Sequence, residues 1–316
     1  MPAQSSWFAP TPPSVAVEMA SRRLTVVELG RGSTASIVGY ASEALPDAAI
    51  APAPGGINIP NVPAVAEALR HALERAGIRA STRAALIVPD SAVRVSLLPF
   101  EQLPAKPADV ERLVRWKLKK STPFPMEEAQ ISWFIAHRTE AGPVLAATVA
   151  RRDVIAQYES VASAAGLHAG IVDVASFNVM NAVIGAGAAP ASDWLLVTLA
   201  PEATTLAIGR GADLMFHRHR ASVEDEGLSA LVHQTAMYHE DRLGGTRFTR
   251  VLLCGGGVGA AAEQARREIR ERLGIAVDAV DVRGATDLGA SGSASTDVLD
   301  ALAAPVGVLL RDRKAA

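Results

Sequence analysis

Cysteine and aromatic residues are scarce in this sequence, and it contains no long apolar run. Its single cysteine, Cys254, rules out an internal disulfide and fits a reducing compartment. No apolar run reaches the roughly 18 residues that a membrane-spanning helix needs, so no direct membrane span is expected. The formal net charge of −2 provides no electrostatic basis for binding nucleic acid.

The proline-rich start of the chain lacks the features of a signal peptide. Residues 1–13 contain no basic stretch followed by an apolar core, and they are predicted to form a flexible arm. Beyond the arm, 49% hydrophobic and 20% charged residues indicate a soluble globular fold. With 316 residues, the chain is long enough for two domains with separate cores.

The two halves of the sequence show the same order of predicted elements. Each half opens with three strand candidates in a meander, followed by a helix and a buried strand. In the first half these are Val15–Met19, Leu24–Leu29, Thr34–Ser42, Val62–Ala76 and Ala84–Val88. In the second half they are Trp194–Leu199, Thr204–Ile208, Leu214–Arg220, Val223–Leu243 and Arg250–Leu253. A duplicated α/β fold with a cleft between its halves is predicted, as in actin and the sugar kinases, with domains at 14–184 and 193–312.

A segment with a different sequence pattern interrupts the first half, at about residues 98–165. It contains a charged amphipathic helix at Pro107–Lys120, a hairpin turning at Ala141-Gly142, and a helix at Arg152–Ala165. This helix–hairpin–helix pattern predicts a small inserted subdomain.

Five blocks of sequence resemble, in their order and spacing, the PilM family of type IV pilus assembly proteins. They are LPF at Leu98–Phe100, RWKLKKSTPFPMEEA at Arg115–Ala129, AGLHAGIVDVASFNVMNAV at Ala165–Val183, VLLCGGGVG at Val251–Gly259 and PVGVLLRD at Pro305–Asp312. The resemblance covers roughly residues 15–312. It implies a two-domain actin-like ATPase (ribonuclease H-like) fold, related to the cell-division protein FtsA, with an inserted subdomain in the first half.

The resemblance also implies a partner and a location. PilM-like proteins bind the short cytoplasmic N-terminal tail of the membrane protein PilN, between the inserted subdomain and the first-domain core. The chain is therefore expected to be cytoplasmic and to reach the inner-membrane pilus platform through a PilN-like tail. Arg115, Trp116 and Phe124 are the candidate partner-binding residues. Self-association is left open.

The loops that bind phosphate in actin-like proteins are altered here. In the first loop, Glu18 and Ala20 stand where the family has aspartate and glycine. In the second, Thr198 and Ala200 replace a carboxylate and a glycine, and Pro201 has no N–H to donate. The third loop keeps its glycines, Gly255–Gly257, which suit either a sharp turn or a nucleotide contact.

A degenerate nucleotide cleft follows from these substitutions. Losing a metal-organising carboxylate removes the main means of neutralising charge in phosphoryl transfer, so no useful ATP hydrolysis, catalytic residue or metal site is expected. Weak binding of ATP with magnesium remains compatible with the hydroxyls and the glycine loop. The residues assigned to the cleft are Glu18, Ser21, Thr198, Thr204, Thr205, Gly255, Gly256 and Gly257. Glu18 and Glu202 are expected to be solvated strand-end acids.

His217 and His219 lie two residues apart, so they share one face of a predicted strand. Without a third ligand nearby, an exposed polar strand end is expected rather than a metal site. For the whole chain, the favoured hypothesis is a non-catalytic scaffold. The alternatives are a nucleotide-binding actin-like ATPase, an FtsA-like filament former and the cytoplasmic platform protein of a type II secretion system.

Overall fold

The computed structural model of the protein describes residues 12–30, 32, 35–80, 82–222, 227–256, 260–288 and 294–311. Its strands are β1 (Val15–Met19), β2 (Arg23–Leu29), β3 (Ile37–Ala44), β4 (Arg83–Val88), β5 (Val93–Pro99), β6 (Ala129–Thr139), β7 (Gly142–Arg151), β8 (His168–Val174), β9 (Asp193–Ala200), β10 (Ala203–Arg210), β11 (Asp213–Ala221), β12 (Arg250–Gly255) and β13 (Val277–Ala279). Its helices are α1 (Val62–Ala76), α2 (Pro107–Leu118), α3 (Arg152–Ala164), α4 (Ala175–Gly185), α5 (Leu228–Leu243), α6 (Ala260–Leu273) and α7 (Thr296–Arg311).

Two five-stranded sheets have the same internal order, which confirms the predicted duplication of the fold. The first sheet runs β3-β2-β1-β4-β8 and the second runs β11-β10-β9-β12-β13. In each sheet the first three strands are antiparallel and the last two join in parallel. Short turns keep consecutive strands adjacent, whereas the parallel strands follow longer crossovers.

The last helix, α7, joins the two halves. Every residue from Leu299 to Leu310 is buried, because this helix is apolar on nearly all sides. It packs against α4 and against strands of both sheets. The main core cluster accordingly contains residues of both halves, including Leu86, Trp194 and Leu302. The halves are therefore held together by a shared core as well as by polar contacts.

Close packing of α4 against α7 depends on Gly307. A Cβ atom added there would lie 1.7 Å from the backbone oxygen of Asn178, so an alanine requires the helices to separate. We expect Gly307→Ala to lower the free energy of unfolding by about 2–3 kcal/mol, measured by urea denaturation. Gly227→Ala is the matched control, because nothing lies within 4 Å of its Cβ position. Equal stability of the two variants would contradict this packing.

A third sheet, β5-β7-β6, forms an insert between the first-half strands β4 and β8. Helix α2 covers one face of it, where Val114, Leu118 and Leu145 form a separate small core. On β7, Ala146 and Ala150 face the other way, toward the main core. The hairpin of β6 and β7 turns at Glu140-Ala141, one residue earlier than predicted.

Helix α3 does not belong to this insert, contrary to the sequence interpretation. Its buried residues Val154, Ile155 and Tyr158 lie in the main core, and the helix packs mainly on α1 and β8, with smaller contacts to β7 and β4. The insert instead begins with β5 and spans residues 93–151. Helical periodicity reveals that α3 has an apolar face, but it does not identify the surface which that face covers.

Some predicted element ends differ from the described ones. The predicted helix over 223–243 begins at Leu228 in the structure, and residues 223–226 lie outside the described part of the chain. The predicted strand over 275–280 is reduced to Val277–Ala279. Most of the predicted arm, residues 1–11, also lies outside the described residues. No helix within the described ranges is long and apolar enough to cross a membrane.

Candidate functional site

A cavity of about 620 Å³ lies between the two halves, and we call it the cleft. Its walls are the β1–β2 turn, the β9–β10 turn, the start of the β12–α6 turn and one side of α7. Six of the residues assigned to a nucleotide site line it: Glu18, Ser21, Thr198, Thr205, Gly255 and Gly256. Thr204 is not among its lining residues, and Gly257 lies outside the described residues.

Glu18 is not a solvated strand-end residue, contrary to expectation, whereas Glu202 lies half-buried in the β9–β10 turn. Glu18 lies within β1, where burial raises the pKa of its carboxyl against the opposing effect of Arg23. Glu202 accepts a hydrogen bond from the Ser21 hydroxyl, 2.7 Å from its Oε2. This bond joins the first loop to the second across the mouth of the cleft.

The second loop presents hydroxyl groups rather than carboxylates. Thr198 Oγ1 is buried and has no hydrogen-bond partner among the described residues. Thr205 Oγ1 lies 2.9 Å from His219 Nδ1. Thr204 falls on the opposite face of β10 because side chains alternate along a strand, which explains its absence from the cleft.

The glycines of the third loop are required by the turn itself. Gly255 and Gly256 have φ angles of 83° and 81°, in the region that favours glycine. A Cβ at Gly255 would lie 2.1 Å from the Leu199 backbone oxygen. Backbone geometry alone therefore accounts for both residues.

Asp300 of α7 is a cleft residue that sequence reasoning missed. Its Oδ2 accepts a hydrogen bond of 3.1 Å from the Gly255 N–H, while its Oδ1 is buried without a partner among the described residues. Burial raises the pKa of this carboxyl to about 7, although the Gly255 N–H and Arg23 oppose the rise. The feature of the sequence that could have identified Asp300 is an acidic residue within an otherwise apolar helix.

A buried polar network joins the halves next to the cleft. Asp90, in the 3-10 turn before β5, accepts hydrogen bonds from the Ser176 hydroxyl and from the Ser176 N–H, the latter at 3.1 Å. His217 of β11 lies 3.0 Å from Ser176 Oγ and 3.6 Å from Asp90 Oδ1 through the same nitrogen, Nε2. A catalytic triad would need the carboxylate and the hydroxyl on different ring nitrogens, so the arrangement is structural.

The sequence predicts an exposed strand end at His217 and His219, and this prediction is wrong. The His217 side chain is only 2% exposed. His219 reaches both halves, since its Nε2 lies 3.3 Å from Ser91 Oγ and its Nδ1 contacts Thr205. No group of three or more potential ligands for a metal occurs in the described parts of the chain.

A second cavity, of about 560 Å³, lies where the insert meets the first sheet, and we call it the groove. Its lining residues include Ser132, Phe134, Asp173, Phe177, Met180 and Arg311. β6 is an edge strand of the third sheet and β8 an edge strand of the first, so two edge strands border this space. Phe134 is 43% exposed and meets Phe177 edge-on, with ring centroids 5.3 Å apart. Asp173 forms an ion pair with Arg311 at the same site.

None of the predicted partner-binding residues lines the groove. Arg115 donates to Glu111 and to the Met126 backbone oxygen. Phe124 packs partly buried in the small core of the insert. Trp116 is 72% exposed on α2, on the far side of the third sheet from the groove. Phe134 of β6 and Phe177 of α4 were missed, because neither strand alternation nor helical periodicity reveals which cavity a face lines.

Two sheets of identical order, a cleft between them and a three-stranded insert define a two-domain actin-like protein. The family model of the type IV pilus assembly protein PilM matches residues 16–241, and the chain belongs to this family. The resemblance read from the sequence blocks is thereby confirmed. No curated protein matches the chain.

One solved structure agrees closely with this fold class. A PilM–PilN type IV pilus biogenesis complex is similar with a TM-score of 0.80 at 17% identity, covering 96% of this chain and 99% of that chain. Two more distant structures are also similar. A protein of actin-like ATPase fold from Bacteroides thetaiotaomicron has a TM-score of 0.49 at 7% identity, covering 85% and 90%. The cytoplasmic domain of EpsL, from the type II secretion system of Vibrio cholerae, has a TM-score of 0.46 at 8% identity, covering 76% and 80%.

Proposed function

We propose that this chain is a non-catalytic scaffold of type IV pilus assembly that binds the cytoplasmic N-terminal tail of a PilN-like membrane protein in the groove. The observation that carries the proposal is the position of the groove beside the edge strands β6 and β8. In this role the chain is cytoplasmic and reaches the inner membrane through its partner.

The groove suits an extended peptide. An exposed edge strand offers unpaired backbone N–H and C=O groups, to which a peptide can add as a further strand. Phe134, Phe177 and Met180 supply an apolar floor for alternate side chains of such a peptide. Asp173 and Arg311 supply charges of both signs beside it. Main-chain pairing would give affinity, and the apolar floor would give selectivity.

The cleft does not fit a magnesium-bound nucleotide well. Thr198 stands where a carboxylate would organise the ion, and Pro201 lacks the N–H that a phosphate loop would offer. The Ser21–Glu202 hydrogen bond crosses the space between the two loops and places a carboxylate where phosphate oxygens would have to lie. These features support a scaffold that does not hydrolyse ATP and binds its partner without it.

Calorimetric titration of the full chain with a synthetic peptide of the cognate partner's N-terminal tail tests the proposal. Saturable binding that is unchanged by Mg-ATP is expected. Binding only in the presence of Mg-ATP would overturn the nucleotide independence. Absence of binding to the folded protein in both conditions would overturn the scaffold assignment.

Phe134→Ala is expected to weaken binding of the peptide about tenfold or more, because an aromatic anchor in a pocket dominates the energy of such interfaces. Met237→Ala is the matched control, since Met237 is 41% exposed on α5, away from the groove. Titration of both variants with the same peptide measures the difference. Equal affinities would place the tail elsewhere on the protein.

A further inference from the structure

The exposed face of α2 combines a tryptophan with cationic side chains. Arg112 and Trp116 lie one turn apart on α2, and Lys119 and Lys120 follow directly after its last residue; all four are exposed. Trp116 is 72% exposed, whereas Trp194 is fully buried. A single exposed apolar side chain is ordinary on a protein surface, so the indole is informative only together with the lysines beside it.

The basic residues of this segment fall into two sets. Arg115 and Lys117 have partners within the insert. Arg115 pairs with Glu111 on the same helix, and Lys117 donates to the Pro99 backbone oxygen and lies over the Phe100 ring. Lys119 and Lys120, in contrast, form no salt bridge with any described residue. The second set thus leaves positive charge available around Trp116.

Helix α6 shows that this arrangement is not a general property of basic helices in the chain. Its arginines alternate with Glu263, Glu268 and Glu271, and Arg266 pairs with Glu263. On the outer face of α2, Asp109 and Arg112 neutralise each other, so the excess positive charge comes from Lys119 and Lys120. The outer face of α2 is therefore a local cationic patch on a chain whose net charge is −2.

We propose that the α2 patch (Arg112, Trp116, Lys119 and Lys120) is a contact surface for anionic lipid headgroups. An indole ring is best placed at a membrane interface, with its apolar body among acyl chains and its N–H among headgroups. Lysines beside it extend their ammonium groups to anionic lipids. A single tryptophan on one short helix matches a flat charged surface better than a nucleic-acid strand, which calls for a longer basic groove with several stacking platforms.

The fold lets this contact coexist with tail capture. Helix α2 lies on one face of the third sheet, and the groove lies on the other side of it. A headgroup contact through α2 therefore leaves the groove open. The lipid contact stands on its own observations and does not depend on the proposed function.

Co-sedimentation of the full chain with phosphatidylcholine vesicles, with and without phosphatidylglycerol, tests the proposal. Binding to the anionic vesicles only is expected, and it should fall as salt is added. Lys119→Glu combined with Lys120→Glu is expected to weaken it more than tenfold, since each basic residue near an anionic surface contributes roughly fivefold. The matched charge control is Arg270→Glu with Arg272→Glu in the last turn of α6.

Trp116→Ser should weaken vesicle binding several-fold, whereas Ile57→Ser should not, although Ile57 is 74% exposed. Failure of the unaltered protein to sediment with anionic vesicles would overturn the proposal. The proposal would also be overturned if the α2 and α6 charge variants lost vesicle binding equally. Such a result would indicate that positive charge anywhere on the protein attracts the vesicles. Tighter binding to a DNA duplex than to the vesicles would reassign the patch to nucleic acid.

Discussion

Asp90→Ala is expected to lower the free energy of unfolding by about 3–5 kcal/mol, because it removes the centre of a buried polar network. The Asp90 side chain is 8% exposed. Without its carboxylate, the Ser176 N–H and the His217 ring lose an acceptor in a place that water does not easily reach. Losing this acceptor affects both halves, since Ser176 belongs to α4 in the first half and His217 to β11 in the second. Urea denaturation at neutral pH measures it.

Asp47→Ala is the matched control for Asp90→Ala. Asp47 pairs with Arg22 on the surface, where the two side chains are 82% and 64% exposed. Such pairs contribute about 0–1 kcal/mol, so the control should unfold almost as the unaltered protein does. Similar stabilities for the two variants would mean that the network does not hold the halves together.

The pH dependence of the network has a definite sign. Burial alone raises the pKa of Asp90, but the hydrogen bonds from His217 and Ser176 and the charge of His217 outweigh it and hold the pKa below its ordinary value. The stability from this group is therefore complete above the unfolded-state pKa of about 3.8 and is lost as pH falls through the lower folded-state pKa. Asp90→Ala should remove that part of the acid dependence.

Local sequence patterns were sufficient to predict the two main sheets. Three successive apolar strands with short turns form a meander almost by necessity, and the pattern occurs twice. The fold class could be predicted for this reason. The position of α3 could not be predicted, because an apolar helix face can pack on any apolar surface of the right shape. Local sequence patterns do not indicate which sheet lies beside it.

The polar residues of the interface between the halves were the hardest to predict. Alternation correctly placed His217 and His219 on one face of β11, yet the burial of His217 depends on Asp90 and Ser176, which are more than forty residues away in sequence. Similarly, nothing local distinguishes Arg115, which pairs with Glu111 of its own helix, from Lys119 just beyond the helix end, which forms no ion pair with a described residue. Contacts between distant segments decide exposure, and single-sequence patterns carry little information about them.

Asp300→Asn is expected to make the protein more stable at neutral and alkaline pH. The pKa of Asp300 is raised to about 7 in the folded protein, against an ordinary value of 3.8. Between these two values the unfolded chain ionises while the folded chain keeps its proton, so this group reduces stability progressively as pH rises. Above about pH 7 the penalty is complete and on the order of 4 kcal/mol. An amide at position 300 avoids it and keeps an oxygen for the Gly255 N–H.

Urea denaturation of the Asp300→Asn variant at about pH 5 and about pH 8 measures this difference. The stabilisation should be larger at the higher pH. Asp297→Asn is the control, because Asp297 lies in the first turn of the same helix with its side chain 51% exposed. Its replacement should cost less than about 1 kcal/mol at either pH, through the lost interaction with the helix dipole. A stabilisation by Asp300→Asn that is equal at both pH values would show that Asp300 ionises normally in the folded cleft. In that case the cleft would carry one more negative charge at neutral pH, and it would be still less suited to a nucleotide.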